Sequence, residues 1–338
     1  MRSRLIIFSM LLFALLPAAP VLADTGPGTN HASQQDPPAE EPGIGLRLLD
    51  APAATQNDPR ARSYIVDHLN PGSTIDRRIQ IVNGTDTPQN FRLYPSAASV
   101  EGDAFEGAAG EVENELTTWI SVDQPALAVE PGASANILVT IDVPADAPEV
   151  EQYAVAWAEA QSAVDSAGGI VNASRVGIRV YLSVGPGNGP AADFTIDSLV
   201  PSRNPEGAPE LTTTVTNTGG RALDISGSLT LSDGPGGLSA GPNPIDKGTT
   251  IAPGDSAPVS VTLAPELPDG PWQASLELKS GLITHQAAAT ITFPDEGQGE
   301  VVTPEGGPGI AFATAGIALL ILVVIGLILR VRRRRNAQ

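Results

Sequence analysis

Short runs in which apolar and polar residues alternate recur along the chain between residues 43 and 294. The clearest runs are Ile75–Ile81, Ile137–Val143, Arg175–Leu182, Leu211–Val215 and Val259–Leu263. Gly, Pro, Asn and Asp punctuate the chain between them, and this pattern is typical of β-strands joined by turns. We therefore predict an all-β protein, built as two tandem immunoglobulin-like β-sandwiches.

Two apolar runs at the ends of the chain do not alternate. The first, Leu5–Leu16, follows Arg2 and Arg4 and is too short to cross a bilayer. It is followed by prolines and by a Val-Leu-Ala sequence, so it predicts a secretory signal peptide over residues 1–23 that is cleaved between Ala23 and Asp24.

The second run, Ile310–Leu329, holds 20 residues without a charge, which is the length of one membrane-spanning helix. Five arginines follow it, namely Arg330, Arg332, Arg333, Arg334 and Arg335. Basic residues beside a span mark its cytoplasmic side. The prediction is a transmembrane helix over 309–329, a cytoplasmic tail over 330–338 and a single-pass type I protein of the cell membrane whose N-terminal bulk is extracellular.

An internal repeat indicates that the two sandwiches are related. Val129–Pro144 matches Ile251–Pro265, in register at an offset of 122 residues as far as Asp142 and Ala264, and Ile79–Thr85 resembles Thr213–Gly219 at an offset of 134. In both copies a strand ends at an Asn and a Pro-Gly turn begins a later strand. The predicted boundaries are a disordered lead (24–42), a first domain (43–184), a linker (185–192), a second domain (193–294) and an acidic stalk (295–308).

Composition narrows the function. The chain has no Cys, only three His and a net charge of −19. These counts exclude disulfide scaffolds, thiol catalysis and Cys-based metal sites, and the charge argues against nucleic-acid binding. Residues 24–308 hold 12 basic and 38 acidic residues. We interpret this excess of acidic residues as a soluble surface whose like charges repel one another. A surface that binds cations or basic partners is the alternative.

Several motifs of the first domain resemble those of the WxL-interacting proteins of Gram-positive bacterial surfaces. They are Pro71-Gly-Ser73, Ile79–Thr85, Leu93–Ala97 with Gly102, Leu127–Gly132 and Val143-Pro144. The chain departs from the family after Val143-Pro144, where Tyr153–Trp157 stands in place of a Gly-rich strand. The resemblance implies that the first domain attaches to peptidoglycan and that the second contacts another envelope protein.

Three residues are candidate ligand contacts, because aromatic faces stack on sugars and amides bond to them: Trp119, Asn114 and Tyr94. Trp119 follows an acidic segment (101–118), which we interpret as a solvated loop, with weak Ca²⁺ binding as the alternative. Trp157 shares a strand face with Tyr153 and is predicted to lie in the core.

We find no catalytic residues. Asp67-His68 is the only neighbouring acid–His pair within a domain, and the sequence contains neither a Gly-x-Ser-x-Gly elbow nor a His-Glu-x-x-His motif. The expected protein is a non-enzymatic, membrane-anchored binding protein without cofactor, whose partners are peptidoglycan, an envelope protein and the membrane, and not nucleic acid. The alternatives are a membrane-anchored cell-wall peptidase or glycosidase, and a structural spacer or sensor ectodomain.

Overall fold

The computed structural model describes residues 43–161, 173–245 and 247–306, which form two β-sandwiches. The strands of the first are β1 (Ile44–Leu48), β2 (Ile65–Leu69), β3 (Thr74–Asn83), β4 (Gln89–Glu101), β5 (Ala104–Gly107), β6 (Ile120–Val122), β7 (Ala126–Val129), β8 (Ser134–Asp142), β9 (Glu151–Gln161) and β10 (Ala173–Val184). The helical elements are α1 (Pro59–Ser63) and three 3-10 turns, Ala53–Thr55, Leu116–Trp119 and Pro235–Gly237.

Two sheets face each other in the first sandwich. One has the strand order β1-β3-β8-β6, and the other has the order β2-β10-β9-β4-β5 with β7 also paired to β4. Neighbouring strands are antiparallel except β2 and β10, which run parallel. The core between the sheets is built of Ile, Val, Leu and Ala side chains, among them Ile79, Ile137 and Leu182, which are at most 1% exposed.

The second sandwich has the same general construction and its own core. Its strands are β11 (Phe194–Arg203), β12 (Pro209–Asn217), β13 (Leu223–Ser232), β14 (Ala240–Pro244), β15 (Thr249–Ile251), β16 (Ser256–Thr262), β17 (Trp272–Ser280), β18 (Ile283–Ile291), β19 (Gly297–Gln298) and β20 (Glu305–Gly306). The sheet orders are β16-β12-β11-β19 and β14-β13-β17-β18-β20, with β15 also paired to β13. Trp272, at 1% exposure, is the largest side chain buried in this core.

A buried Asn occupies the same structural position in both sandwiches. Asn83 ends β3 and donates to the carbonyls of Thr87 and Val129, both at 2.9 Å. Asn217 ends β12 and donates to the carbonyls of Arg221 and Ile251, at 2.9 and 3.0 Å. Each side-chain oxygen accepts the backbone N–H two residues later. The repeated sequence therefore produces a repeated turn that ties the end of one strand to a later strand.

The face of β9 that carries Trp157 lies outside the core. Ala154, Ala158 and Ala160 are the β9 residues in the core cluster, whereas Trp157 is half-buried and donates from Nε1 to the Ala108 carbonyl at 3.0 Å. The alanines point inward because successive side chains of a strand alternate between faces. The predicted core position of Trp157 is wrong for this reason: its face also carries Glu151 and Glu159, whereas the opposite face is mostly alanine and packs on the core.

The segment after β18 lies along the second sandwich. β19 pairs with β11, β20 pairs with β18, and Leu199 and Val302 exchange two backbone hydrogen bonds of 2.8 and 2.9 Å. Each of the two sheets is thus extended at this edge. The part of the predicted stalk that the structure describes, 295–306, is in contact with the domain and does not extend away from it.

Within the described ranges, no helix has the length and apolar character needed to cross a bilayer. The predicted signal peptide with Ala23 and Asp24, the lead 24–42, the span 309–329 and the arginines Arg330 and Arg332 to Arg335 lie outside those ranges.

Candidate binding site

The three predicted ligand contacts do not form a site. Trp119 ends a 3-10 turn, is 7% exposed and belongs to the first core, so its ring is not available to a sugar. Tyr94 is 4% exposed and donates from its hydroxyl to Glu159 at 2.7 Å. Asn114 is half-buried and donates its amide to the Tyr153 carbonyl at 2.8 Å. Tyr94 and Asn114 line separate surface depressions, so the structure does not bring the three residues together, and their role as ligand contacts stays a prediction.

The acidic segment is partly ordered. Ala104–Gly107 forms β5 against β4, and Leu116–Trp119 is a 3-10 turn, so the prediction of a solvated loop is wrong for these residues. In the described part of the chain, no group of three or more His, Asp or Glu side chains could hold a metal ion.

The two residues of the sequence pair Asp67-His68 are not arranged for catalysis. Asp67 is bonded to Arg77, with Arg77 Nε 3.0 Å from its Oδ2. His68 Nδ1 lies 3.1 Å from the Ser183 hydroxyl, so neighbouring residues in sequence have different partners.

The two sandwiches meet around one carboxylate. Asp224, on β13, accepts from Arg60 Nε at 2.6 Å and from Arg179 Nη1 at 3.2 Å. Tyr181 and Thr250 donate their hydroxyls to the same carboxylate at 2.9 and 2.8 Å. Arg60, Arg179 and Tyr181 belong to the first sandwich, so a residue of the second sandwich neutralises two cations of the first.

Aromatic rings surround this ion cluster. Tyr181 is fully buried, with its ring centre 5.9 Å from that of Tyr64, 5.1 Å from that of Phe105 and 5.8 Å from that of Tyr153. The Arg60 guanidinium lies over the Tyr181 ring, 4.8 Å from its centre. Burial raises the pKa of the Tyr181 hydroxyl well above its ordinary value, which keeps it a hydrogen-bond donor.

A second carboxylate links the sandwiches beside this cluster. Glu151, on β9, accepts the backbone N–H of Ala222 at 2.6 Å and the hydroxyl of Tyr153 at 2.8 Å. Burial raises the pKa of Glu151, while these two hydrogen bonds and the charges of Arg221 and Arg60 lower it; burial has the larger effect.

The raised pKa of Glu151 predicts a pH dependence of stability. Because the folded-state pKa lies above the ordinary 4.5, the folded protein binds more protons than the unfolded chain between these two values. Its free energy of unfolding therefore falls as pH rises through that interval. We expect Glu151→Gln to remove this part of the slope, measured by urea unfolding at a series of pH values from 4.5 upward. An unchanged slope in the variant would contradict the assignment to Glu151.

A cavity of about 470 Å³ opens at the junction of the two sandwiches. Its lining includes Arg60, Arg179, Lys279 and Asp224, together with the rings of Tyr64 and Phe105. One guanidinium nitrogen, Arg60 Nη2, is buried and has no hydrogen-bond partner among the described residues. The cavity wall is therefore more basic than the protein as a whole.

The strand that carries Arg179 has an unpaired edge. β10 pairs with β9 along its whole length, but on its other side β2 covers only Val180–Val184. No described strand pairs with Ala173–Arg179 on that side, and we call these seven residues the open edge. The alternation in Arg175–Leu182 predicts the strand, but a sequence contains no signal for which strand ends lack a neighbour.

The open edge is held in place from both faces. Val176 and Ile178 pack on the first core. On the opposite face, Arg175 lies over the Trp157 ring, 4.7 Å from its centre, and Gly177 lies under that ring. A Cβ at position 177 would come within 2.5 Å of the ring, so this place requires glycine.

No protein-family model matches the sequence, and no curated protein matches it. Solved structures do match. They include the YadV chaperone (12% identity, TM-score 0.39, covering 73% of this chain and 99% of that chain), the E. coli chaperone DraB (14%, 0.36, 73% and 99%) and the Salmonella enterica SafA pilin in complex with the SafB chaperone (8%, 0.38, 73% and 96%).

These comparisons correct three expectations. The sequence predicted a membrane-anchored protein that attaches to peptidoglycan, whereas the matched structures are chaperones of fimbrial systems, one of them named as periplasmic. The predicted partners, namely peptidoglycan, an envelope protein and the membrane, find no support in these matches, two of which are complexes of a chaperone with a tip subunit or a pilin. The predicted cell-membrane localisation finds no support in these matches either, and none of the three expectations is carried forward.

The prediction that the chain is not an enzyme agrees with the matched chaperones. The resemblance to the WxL-interacting proteins stays a prediction. What this chain binds is inferred below from its own strands.

Proposed function

We propose that this protein binds an extended segment of another polypeptide, which adds as a strand to the open edge. The observation that carries the proposal is the row of backbone N–H and C=O groups along Ala173–Arg179 that no described strand satisfies. Such an edge is a template for strand addition, because each added residue gains main-chain hydrogen bonds. Seven residues of strand extend over roughly 23 Å, at about 3.3 Å per residue.

Several edges of the second sandwich, by contrast, are covered or interrupted. In the second sandwich β19 and β20 cover β11 and β18, and Pro258 interrupts the donors of the edge strand β16. Natural proteins protect sheet edges in these ways. The open edge contains no proline.

The surroundings of the open edge also favour binding. Its C-terminal end, Arg179, is held by Asp224 of the second sandwich, and Tyr181 immediately beyond is bonded to the same carboxylate. A strand that is already fixed loses little conformational freedom when a partner pairs with it. The second sandwich therefore serves to hold the recognition strand rigid.

Hydrogen–deuterium exchange of the full chain tests the proposal. The probe is a nine-residue peptide with Val at even and Thr at odd positions. We expect slower amide exchange confined to residues 173–179. Only one edge of a bound strand pairs with the open edge, and the N–H groups of alternate residues point to that edge. N-methylation of this alternate set of peptide residues should therefore abolish protection, and methylation of the other set should leave it.

The matched control is therefore the second methylated peptide, which has the same composition and hydrophobicity as the first. Equal loss with both methylated peptides, or no protection of residues 173–179 by the unmethylated one, would show that strand addition at the open edge is wrong.

A further inference from the structure

The elements around the open edge carry an unusual charge. β1 of the facing sheet packs against β10, and α1 leads directly into β2, which pairs with β10 beyond the open edge. These three elements, β1, α1 and β10, contain no acidic residue. They contain five arginines, namely Arg47, Arg60, Arg62, Arg175 and Arg179. Five of the 12 basic residues of segment 24–308 are thus gathered here, in a segment with 38 acidic ones.

Only part of this positive charge is neutralised within the protein. Asp224 pairs with Arg60 and Arg179. Arg47 and Arg62 are exposed and have no carboxylate partner among the described residues. Arg175 is exposed on the outer face, where it lies opposite Glu159 of β9. A strand added to the open edge would therefore lie in a positive field.

The alternation of β10 determines where that field acts on an added strand. Arg175 and Arg179 belong to one face of β10, whereas Val176 and Ile178 belong to the other and pack on the core. Side chains of neighbouring strands that share a face are in contact, and opposite charges there attract. An added strand would thus present every second side chain to the arginines and the others to the apolar side.

We infer, on the basis of the proposed function, that the segment bound at the open edge alternates acidic with apolar residues. The acidic residues face Arg175 and Arg179, and the apolar residues extend the row formed by Val176 and Ile178. The rest of the body repels an acidic segment, because it carries most of the 38 acidic residues of segment 24–308. This repulsion restricts such a segment to the one basic edge.

Three nine-residue peptides with Val at even positions test the inference. Their odd positions hold Glu, Thr or Lys, and their affinity for the full chain is measured by fluorescence anisotropy at low and at physiological salt. We expect the Glu peptide to bind roughly tenfold more tightly than the Thr peptide, because opposite-charge pairs across strands each contribute modestly. The Lys peptide should bind most weakly, and added salt should reduce the difference.

Two exposed positions provide variants. Arg175→Glu should lower the affinity of the Glu peptide at least about threefold, by reversing a charge on the face that meets the acidic side chains of the peptide. Gln273→Glu adds a negative charge at an exposed position of the second sandwich, six residues along β17 from the Lys279 that lines the cavity, and should leave that affinity unchanged.

The outcomes separate the two proposals. If the Glu and Thr peptides bind equally well, or the Lys peptide binds best, the acidic partner is wrong while strand addition stands. If none of the three peptides binds, the proposed function fails and the inference fails with it. A preference for Glu that Arg175→Glu reduces and Gln273→Glu does not would support both.

Discussion

The Asp224→Ala variant is expected to lose about 3–5 kcal/mol of its free energy of unfolding, because removing one partner of a buried ion pair leaves the other charge uncompensated. Arg60 would be affected most. Its side chain is 10% exposed, and Asp224 is the only carboxylate bonded to it among the described residues. Arg179 would lose the same partner, and the hydroxyls of Tyr181 and Thr250 would lose their acceptor.

Urea unfolding of the full chain measures this loss, and a second link between the sandwiches supplies the control. Lys247 pairs with Asp103, but its side chain is largely exposed. Exposed pairs contribute about 0–1 kcal/mol, so Asp103→Ala should change stability little. If Asp224→Ala and Asp103→Ala cost the same, the Asp224 cluster does not stabilise the junction as we propose.

Asp224→Ala also probes the recognition strand. Arg179 and Tyr181 of β10 both bond to this carboxylate, so its loss should speed amide exchange in β10. If the second sandwich holds the open edge rigid, the nine-residue peptide of Val and Thr should also bind this variant more weakly than the parent protein.

Much of the fold follows from local pattern. Alternation predicted the strands, because the side-chain period of a strand is two residues and one face must be buried. The repeated Asn and Pro-Gly turns predicted a repeated sandwich, since the turn chemistry of Asn83 and Asn217 lies within a few residues of each. The inward face of β9 was misjudged, because Tyr153 and Trp157 make one face look apolar although Glu151 and Glu159 lie on it too.

The candidate site depends on contacts that no local pattern contains. Arg60 and Asp224 are 164 residues apart and are brought together only when the two sandwiches meet. The basic character of the elements around the open edge has the same origin, since β1, which carries Arg47, meets β10 only through the packing of the two sheets. The net charge of the chain, −19, reflects its many acidic residues and gives no indication of this basic region.

Trp119 shows why single residues were misjudged. It follows an acidic, Gly- and Ala-rich segment, which makes it look exposed in the sequence. The 3-10 turn Leu116–Trp119 directs Leu116 and Trp119 into the first core, and Asn114 and Thr117 fix that turn through reciprocal hydrogen bonds of 2.9 Å. Tertiary burial thus outweighed the polarity of the neighbouring sequence.

Asn83→Ala and Asn217→Ala are each expected to lower the free energy of unfolding by roughly 3 kcal/mol. Both side chains are at most 1% exposed, and each makes two hydrogen bonds to carbonyls and accepts one backbone N–H. Three buried hydrogen bonds at about 1 kcal/mol each account for the expected loss. Asn136→Ala is the control, because Asn136 is exposed and its amide oxygen accepts from Gln80 at the surface.

The comparison of these variants by urea unfolding also tests the repeat in energetic terms. If the sandwiches are built alike, the two buried Asn variants should lose similar amounts of stability, although one lies in each sandwich and their neighbours differ. The exposed control should stay within about 0.5 kcal/mol of the parent, as surface substitutions usually do. A loss at Asn83 or Asn217 no larger than at Asn136 would mean that strand pairing alone maintains the turn, and that the recurring Asn is not what joins the strand end to its neighbour.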